Sequence, residues 1–216
     1  MLSQHIGTNK SSPLQPLVYP LVQVALGALK LNPSSQYFPL RFHLVEALLR
    51  LSRQTGVYIP LAPTLLETFD SSLIKASHSK KSGTVLKPVE FEVTLRVSST
   101  YLSGPSSRVY RDQVVKQTIH LLAQFFDLHA LNPAFPELAL PPVIVIKKWL
   151  KKHGGETGPK VRHGLSVLVE KLDEQAKWIE EKRKGMEFSP ENLQNIQVIK
   201  ALEDGPLRKW IKKQDI

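Results

Sequence analysis

Residues 107–130 read SRVYRDQVVKQTIHLLAQFFDLHA, and this stretch decides the fold class. Val114, Thr118, Leu121, Phe125 and Leu128 recur at helical spacing and form one stripe, while Val115, Ile119, Leu122 and Phe126 form a second beside it. A surface helix needs only one apolar stripe, so two predict a helix buried on both sides, as in an inner layer.

Downstream, Asn132-Pro133 breaks this helix. The next apolar set runs Phe135, Leu138, Leu140, Val143, Ile144, Ile146, Trp149 and Leu150, with Pro141-Pro142 near the start of its helix. Lys147, Lys148, Lys151 and Lys152 end it, where cations suit the C-terminal dipole, and Gly154-Gly155 closes it. A further helix is expected from about Pro159 to Lys184, with Leu165, Leu168, Leu172, Ala176 and Ile179 inward and a charged end projecting beyond the packed body. Ser189-Pro190-Glu191 has the chemistry of a helix start, and Leu193, Ile196, Ile199 and Leu202 repeat behind it. Gly205-Pro206 ends that helix, and Leu207, Trp210 and Ile211 make a short apolar tail.

Upstream, VEFEVTLRV at 89–97 is the one clean alternation in the chain, with Val89, Phe91, Val93, Leu95 and Val97 on one side. One strand makes no sheet, so it reads as an extended segment laid over the helices. Residues 75–88, KASHSKKSGTVLKP, are a polar basic loop. Before it, Pro63 opens a helix to about Ile74 with Leu65, Leu66, Phe69, Leu73 and Ile74 inward. A helix from about Tyr37 to Gln54 carries Leu40, Leu44, Ala47, Leu48 and Leu51 as its stripe, with Gly56 as its stop. The first helix, 16–31, has stripes of Leu17, Leu21, Val24, Ala28 and of Val18, Val22, Leu26, Leu29, which predict cover on two sides.

About seven helices result, and pairs of about 40 residues (16–31 with 37–54, then 107–131 with 133–153) fit a HEAT/armadillo-like helical-repeat solenoid. The expected fold is all-α with one extended segment near 89–97. The expected organisation is a disordered lead-in at 1–15, a single helical-repeat domain at 16–211 with its basic loop at 75–88, and a tail at 212–216. A plain helical bundle is the other arrangement such lengths allow.

Composition bounds the chemistry. The chain has 216 residues, 42% hydrophobic and 22% charged, which suits a packed core and argues against disorder of the whole. Its net charge of +10 suits an anionic partner, RNA or an acidic protein tail. There is no cysteine, so disulfides, zinc fingers and thiol nucleophiles are excluded. No apolar run is long enough to span a membrane, and MLSQHIGTNKSSPLQP lacks the apolar core of a signal peptide. The seven histidines are scattered, with no HExxH, and GxGxxG, GxxxxGK[ST] and GxSxG are also missing. No enzyme activity and no cofactor is expected.

Several segments carry a resemblance: YPLVQVALGALKL (19–31), YFPLRFHLVEALLRLSRQTGVYIPLAPTLLETFD (37–70), FEVTLRVSSTYL (91–102), 109–152, and VEKLDEQAKWIEEKRKGMEFSP (169–190). In these the chain resembles the nucleolar complex protein 2 family, and PLRFH, AFPEL and EEKRKGMEF are the most specific segments because helix packing alone would not dictate them. The resemblance implies a C-terminal helical-repeat portion of a longer protein, a scaffold without catalysis. It implies a partner among two sister nucleolar complex proteins, travel with pre-60S ribosomal particles from nucleolus to nucleoplasm, and a role in 60S subunit assembly and rRNA processing.

The residues themselves offer contact candidates. Lys147, Lys148, Lys151 and Lys152 form a two-column cationic helix face able to neutralise phosphates, and Lys80, Lys81 and Lys87 lie in the basic loop. Trp178 and Trp210 are candidate protein anchors, and Trp149 is expected in the core. Arg41, within PLRFH, is expected to be partly buried against Glu46 or Asp70, with Arg96 in TLRV similar. The competing readings are a direct rRNA-binding module and a helical-repeat transport adaptor.

Overall fold

The computed structural model of the chain describes residues 13–75, 87–153, 159–184 and 205–213. All regular structure among them is helical. The helices are α1 (Val18–Leu31), α2 (Phe38–Thr55), α3 (Ala62–Leu66), α4 (Ser72–Lys75), α5 (Ser106–Leu128), α6 (Phe135–His153), α7 (Pro159–Arg183) and α8 (Pro206–Lys213). They divide into two compact units at Leu121/Leu122, a boundary that falls inside α5. Residues 1–12, the loop residues 76–86 and the expected helix at 189–202 lie outside the described residues.

In the first unit the core is aromatic and aliphatic: Phe38, Phe42, Val45, Ile59, Leu65 and Tyr110 are buried. The buried face of α2 is Phe38, Arg41, Phe42, Val45, Leu48, Leu49 and Ser52, with Leu51 beside it. Of the expected stripe only Leu48 and Leu51 are buried, and Ala47 is exposed. The leucine periodicity misses the two large rings and the arginine that define the inward direction. Gly56 does stop the helix: it takes φ 70°, where a side chain would be strained, and its N–H returns to Ser52 O at 2.9 Å.

Helix α1 departs from its expectation. Val18, Val22 and Leu29 are buried, but Leu17, Leu21 and Val24 are 49%, 44% and 71% exposed, so one face is covered and the other is open. The expected single helix at 63–74 is broken into α3, a 3₁₀ turn at Glu67–Asp70, and α4, because Ser71 takes an extended ψ of 149°. Leu65, Phe69, Leu73 and Ile74 are nevertheless buried as expected.

The alternating segment at 89–97 is not extended throughout. A turn at 91–93 closes with Val93 and Thr94 N–H on Glu90 O, at 3.3 and 3.1 Å. Val89 and Val97 are buried, but Val93 and Leu95 swing out to 75% and 57% exposure. The ends still do structural work through the backbone. Leu95 O accepts from Leu40 N (3.1 Å), one of the N–H groups that a helix start leaves without a partner in its own helix. Val97 N donates to Gln36 O (3.0 Å), and Gln113 grips both backbone groups of Val89 at 2.9 and 3.0 Å.

Helix α5 meets its expectation: Val114, Thr118, Leu121 and Phe125 are buried on one stripe and Val115, Leu122 and Phe126 on the other. In the second unit α6 packs chiefly on α7 rather than on α5, correcting the expected pairing of 107–131 with 133–153. Phe126 still meets Phe135 edge to face, with centroids 6.2 Å apart. Helix α6 runs through Pro141 and Pro142 instead of starting near them. These prolines bring no N–H to the carbonyls of Glu137 and Leu138 one turn back. Pro206 opens α8, so the expected short tail is itself helical, with Leu207 and Ile211 buried.

Candidate nucleic-acid and protein interfaces

The α6–α7 hairpin is the best-defined surface of the second unit. Asn132 Oδ1 caps its start by accepting from Ala134 N at 2.9 Å. Two ion pairs fix its register. Glu137 meets Arg183 at 2.7 Å, and ten residues further along α6, Lys147 meets Asp173, ten residues earlier in α7, at 2.8 Å. The helices are therefore antiparallel. Arg183 also donates to Pro133 O (3.0 Å), and its proximity keeps the Glu137 carboxyl below the usual carboxylate range. The end of α7 is thus tied down, not projecting as the charge run 180–184 suggested.

Along the hairpin a groove of about 530 Å³ is lined by Ala139, Leu140, Val143 and Ala176 together with the charged Glu137, Asp173, Lys177 and Glu180. Leu140 is itself exposed, as are Ile144 and Val145 on the same helix. Trp149, by contrast, packs inward.

The four α6 lysines do not act alike. Lys147 is held by Asp173, whereas Lys148, Lys151 and Lys152 are exposed over the last turns. Arg162 and His163, in the first turn of α7, are exposed at the same end of the hairpin, and the sequence reading missed them. Their signal was the absence of any acid from 157 to 169. Lys80 and Lys81 lie outside the described residues. Lys87 is exposed, and its carbonyl accepts from Tyr101 Oη at 3.1 Å.

Neither candidate tryptophan is fully exposed. Trp178 is half-buried, with Lys182 Nζ 5.8 Å from its ring centroid, and Trp210 is half-buried on α8. Helix α8 is held by Arg208, which pairs with Asp127 at 3.0 Å, and by Gln175. Gln175 is fully buried on α7: its Nε2 donates to Ala130 O (2.7 Å) and its Oε1 accepts from Leu207 N (3.2 Å). A Cβ on Gly205 would lie 2.7 Å from that Nε2, so a larger residue there would push the Gln175 amide away from its present position.

In the first unit Arg41 is buried, as expected, but its partners differ. Its guanidinium donates to Thr64 O at 3.0 Å and Leu29 O at 3.2 Å and lies 3.7 Å from Glu67, rather than meeting Glu46 or Asp70. Burial lowers its pKa, opposed by Glu67, but an arginine stays charged. Glu46 instead accepts from Gln117 at 3.1 Å. Arg96 is exposed, bonded to Gln36 Oε1 at 3.2 Å and lying over the Tyr37 ring. A cavity of about 600 Å³ opens between α2, α5 and the 89–93 turn, lined by Phe42, His43, Glu46, Phe91, Gln117 and His120. His43 faces Thr94 O at 3.2 Å, and burial lowers the His120 pKa against the pull of Glu46.

Among the described residues no cluster of three or more His, Asp or Glu could hold a metal, and no helix is long and apolar enough to cross a membrane. Among the described residues the protein is helical, with exposed charged and apolar faces. The chain belongs to the Noc2p family, whose sequence profile matches residues 1–214. It is 42% identical over 187 residues to an uncharacterized NOC2 family protein of Schizosaccharomyces pombe, covering 87% of this chain and 25% of that protein. It is 34% identical over 199 residues to nucleolar complex protein 2 of Drosophila melanogaster (92% and 25%), and 26% identical over 185 residues to nucleolar complex-associated protein 2 of Arabidopsis thaliana (86% and 23%). The chain spans about a quarter of the length of these curated relatives.

Proposed function

We propose that this chain is part of a non-catalytic assembly scaffold for the large (60S) ribosomal subunit. It holds one of two sister nucleolar complex proteins on pre-60S particles, in the nucleolus and nucleoplasm. The observation that carries this reading is the family match along residues 1–214, together with relatives named for a nucleolar complex. The mechanism is surface complementarity. A groove that mixes apolar and charged lining, with exposed Leu140 in it and Ile144 and Val145 on the same helix, suits an amphipathic partner helix, and the half-buried Trp178 and Trp210 offer rigid contact area at low entropic cost. The helix pairs α1–α2 and α6–α7 are consistent with units of a HEAT/armadillo-like repeat, a fold that stacks such pairs into long binding surfaces.

The test is co-expression with each sister protein and pull-down at low salt and at about 0.5 M salt, where exposed charge pairs are screened. Retention of a partner at high salt supports the scaffold. Failure to hold either partner at any salt overturns it for this chain. Capture of carrier or cargo proteins in place of pre-ribosomal ones would favour a transport adaptor.

A further inference from the structure

We propose that the connected end of the α6–α7 hairpin is a phosphate-binding tip that takes the backbone of RNA without reading its sequence. Lys148, Lys151 and Lys152 from α6 and Arg162 and His163 from α7 reach this end exposed. The two ion pairs along the hairpin set the register: by it Lys152 lies level with Leu168, and His163 and Arg162 extend the basic surface five and six residues, about 8–9 Å, further towards the start of α7. Residues 141–153 and 159–169 contain no carboxylate, and the acid of α7 level with these lysines is the exposed Glu170. Across 147–163 the sequence holds six Lys or Arg and one acid, Glu156, which lies outside the described residues. Lys147 is not part of the tip, because Asp173 already neutralises it.

The chemistry of the group set chooses the ligand. Lysine and arginine side chains carry donors and no acceptors, which suits a run of phosphates. Trp149, the one aromatic among the lysines, is packed inward at 9% exposure, so it offers no platform for base stacking, and contact of the cations with the phosphate backbone is the main term. Neutralising about four phosphates of a single strand predicts a slope of about −3 in log K against log salt, or about a fiftyfold loss between 50 and 200 mM. The choice of RNA over other polyanions rests on the nucleolar reading above; phosphate recognition rests on the charge alone.

The experiment is fluorescence anisotropy of the 216-residue chain with labelled 20-nucleotide RNAs of two unrelated sequences, titrated across salt. K148E/K151E/K152E should weaken both RNAs at least tenfold and flatten the salt slope. K30E/R50E/R53E, which changes net charge equally on exposed positions of the first unit, should cost less than threefold. K148Q/K151Q/K152Q, a gentler change, should weaken binding in the same direction, and circular dichroism checks that each variant is folded. Equal losses at both places, no loss at the tip, or a preference of more than tenfold for one RNA would overturn the proposal. So would a poly-glutamate peptide that binds as tightly as RNA, since the tip would then be a dock for acidic protein. Loss of the RNA result with a sister protein still held at high salt would sink the tip and leave the scaffold standing.

Discussion

Arg41 joins three elements with one side chain. Leu29 lies in the last turn of α1 and Thr64 near the end of α3, so both carbonyls belong to the set that a helix end leaves without N–H partners. Arg41→Met should therefore cost about 2–4 kcal/mol, since it removes the donors and leaves both acceptors buried. Chemical denaturation measures this; a loss under 0.5 kcal/mol, the scale of an ordinary surface change, would show that water serves those carbonyls as well. Gln175 has the same logic in the second unit. Gln175→Leu should cost roughly 1–3 kcal/mol by stranding Ala130 O and Leu207 N. Proteolysis near α8 gives an independent readout, because that helix is the one released. From sequence, the burial of Arg41 was legible in the apolar letters around it, but its partners were not. They are mostly backbone atoms, and Glu67 became available only through the 3₁₀ turn that interrupts 63–74. Gln175 gave no sign, because a polar residue on a helix is ordinarily read as facing water.

Helix positions were the most legible elements, and the extended stretch the least. Long stripes with consistent period, as in α5 and α7, leave a helix only one way to bury its apolar side. The alternation at 89–97 has no neighbouring strand to reward it, so its backbone closes locally on Glu90 and only its two end valines are buried. The prolines of α6 mislead for a related reason: propensity marks a break, whereas packing of Pro142, Val143 and Ile146 carries the helix through. The hairpin register supports a sharper expectation. A double-mutant cycle on Glu137→Gln and Arg183→Gln should give a coupling of about 0.2–1 kcal/mol, the range of partly exposed pairs, and it should shrink in high salt. A coupling that is zero at all salt concentrations would mean the pair reports the register without supporting it.

For the chain as a whole, stability should fall on the acid side of neutrality. Burial lowers the pKa of both His120 and His129 below the ordinary 6.5. With the folded value depressed, the unfolded chain binds more protons, so this contribution is complete above about 6.5 and is lost as pH falls below it. The denaturation midpoint should drop between pH 7.5 and 5.5, and H120N/H129N should flatten that drop; an unchanged slope in the double variant would assign the effect to carboxylates instead. At this scale the family was readable directly from segments such as PLRFH and EEKRKGMEF, although Arg41 and Phe42 of the first are core residues of α2. The contact faces were only half readable. Four lysines within six residues announced charge, but Asp173 had to be seen beside Lys147, and Arg162 at the same end of the hairpin, before the charged face could be drawn.

The one-sided burial of α1 bears on how the isolated chain behaves in a tube. Leu17, Leu21, Val24 and Leu31 form an open greasy seam on a molecule whose net charge of +10 makes copies repel one another. Added salt weakens the repulsion and leaves the seam untouched, so molecules meet more often and stick when they do. This protein should accordingly keep best in dilute buffer. Its osmotic second virial coefficient should slide from positive towards negative as sodium chloride rises, and L21K/V24K should keep it positive to higher salt.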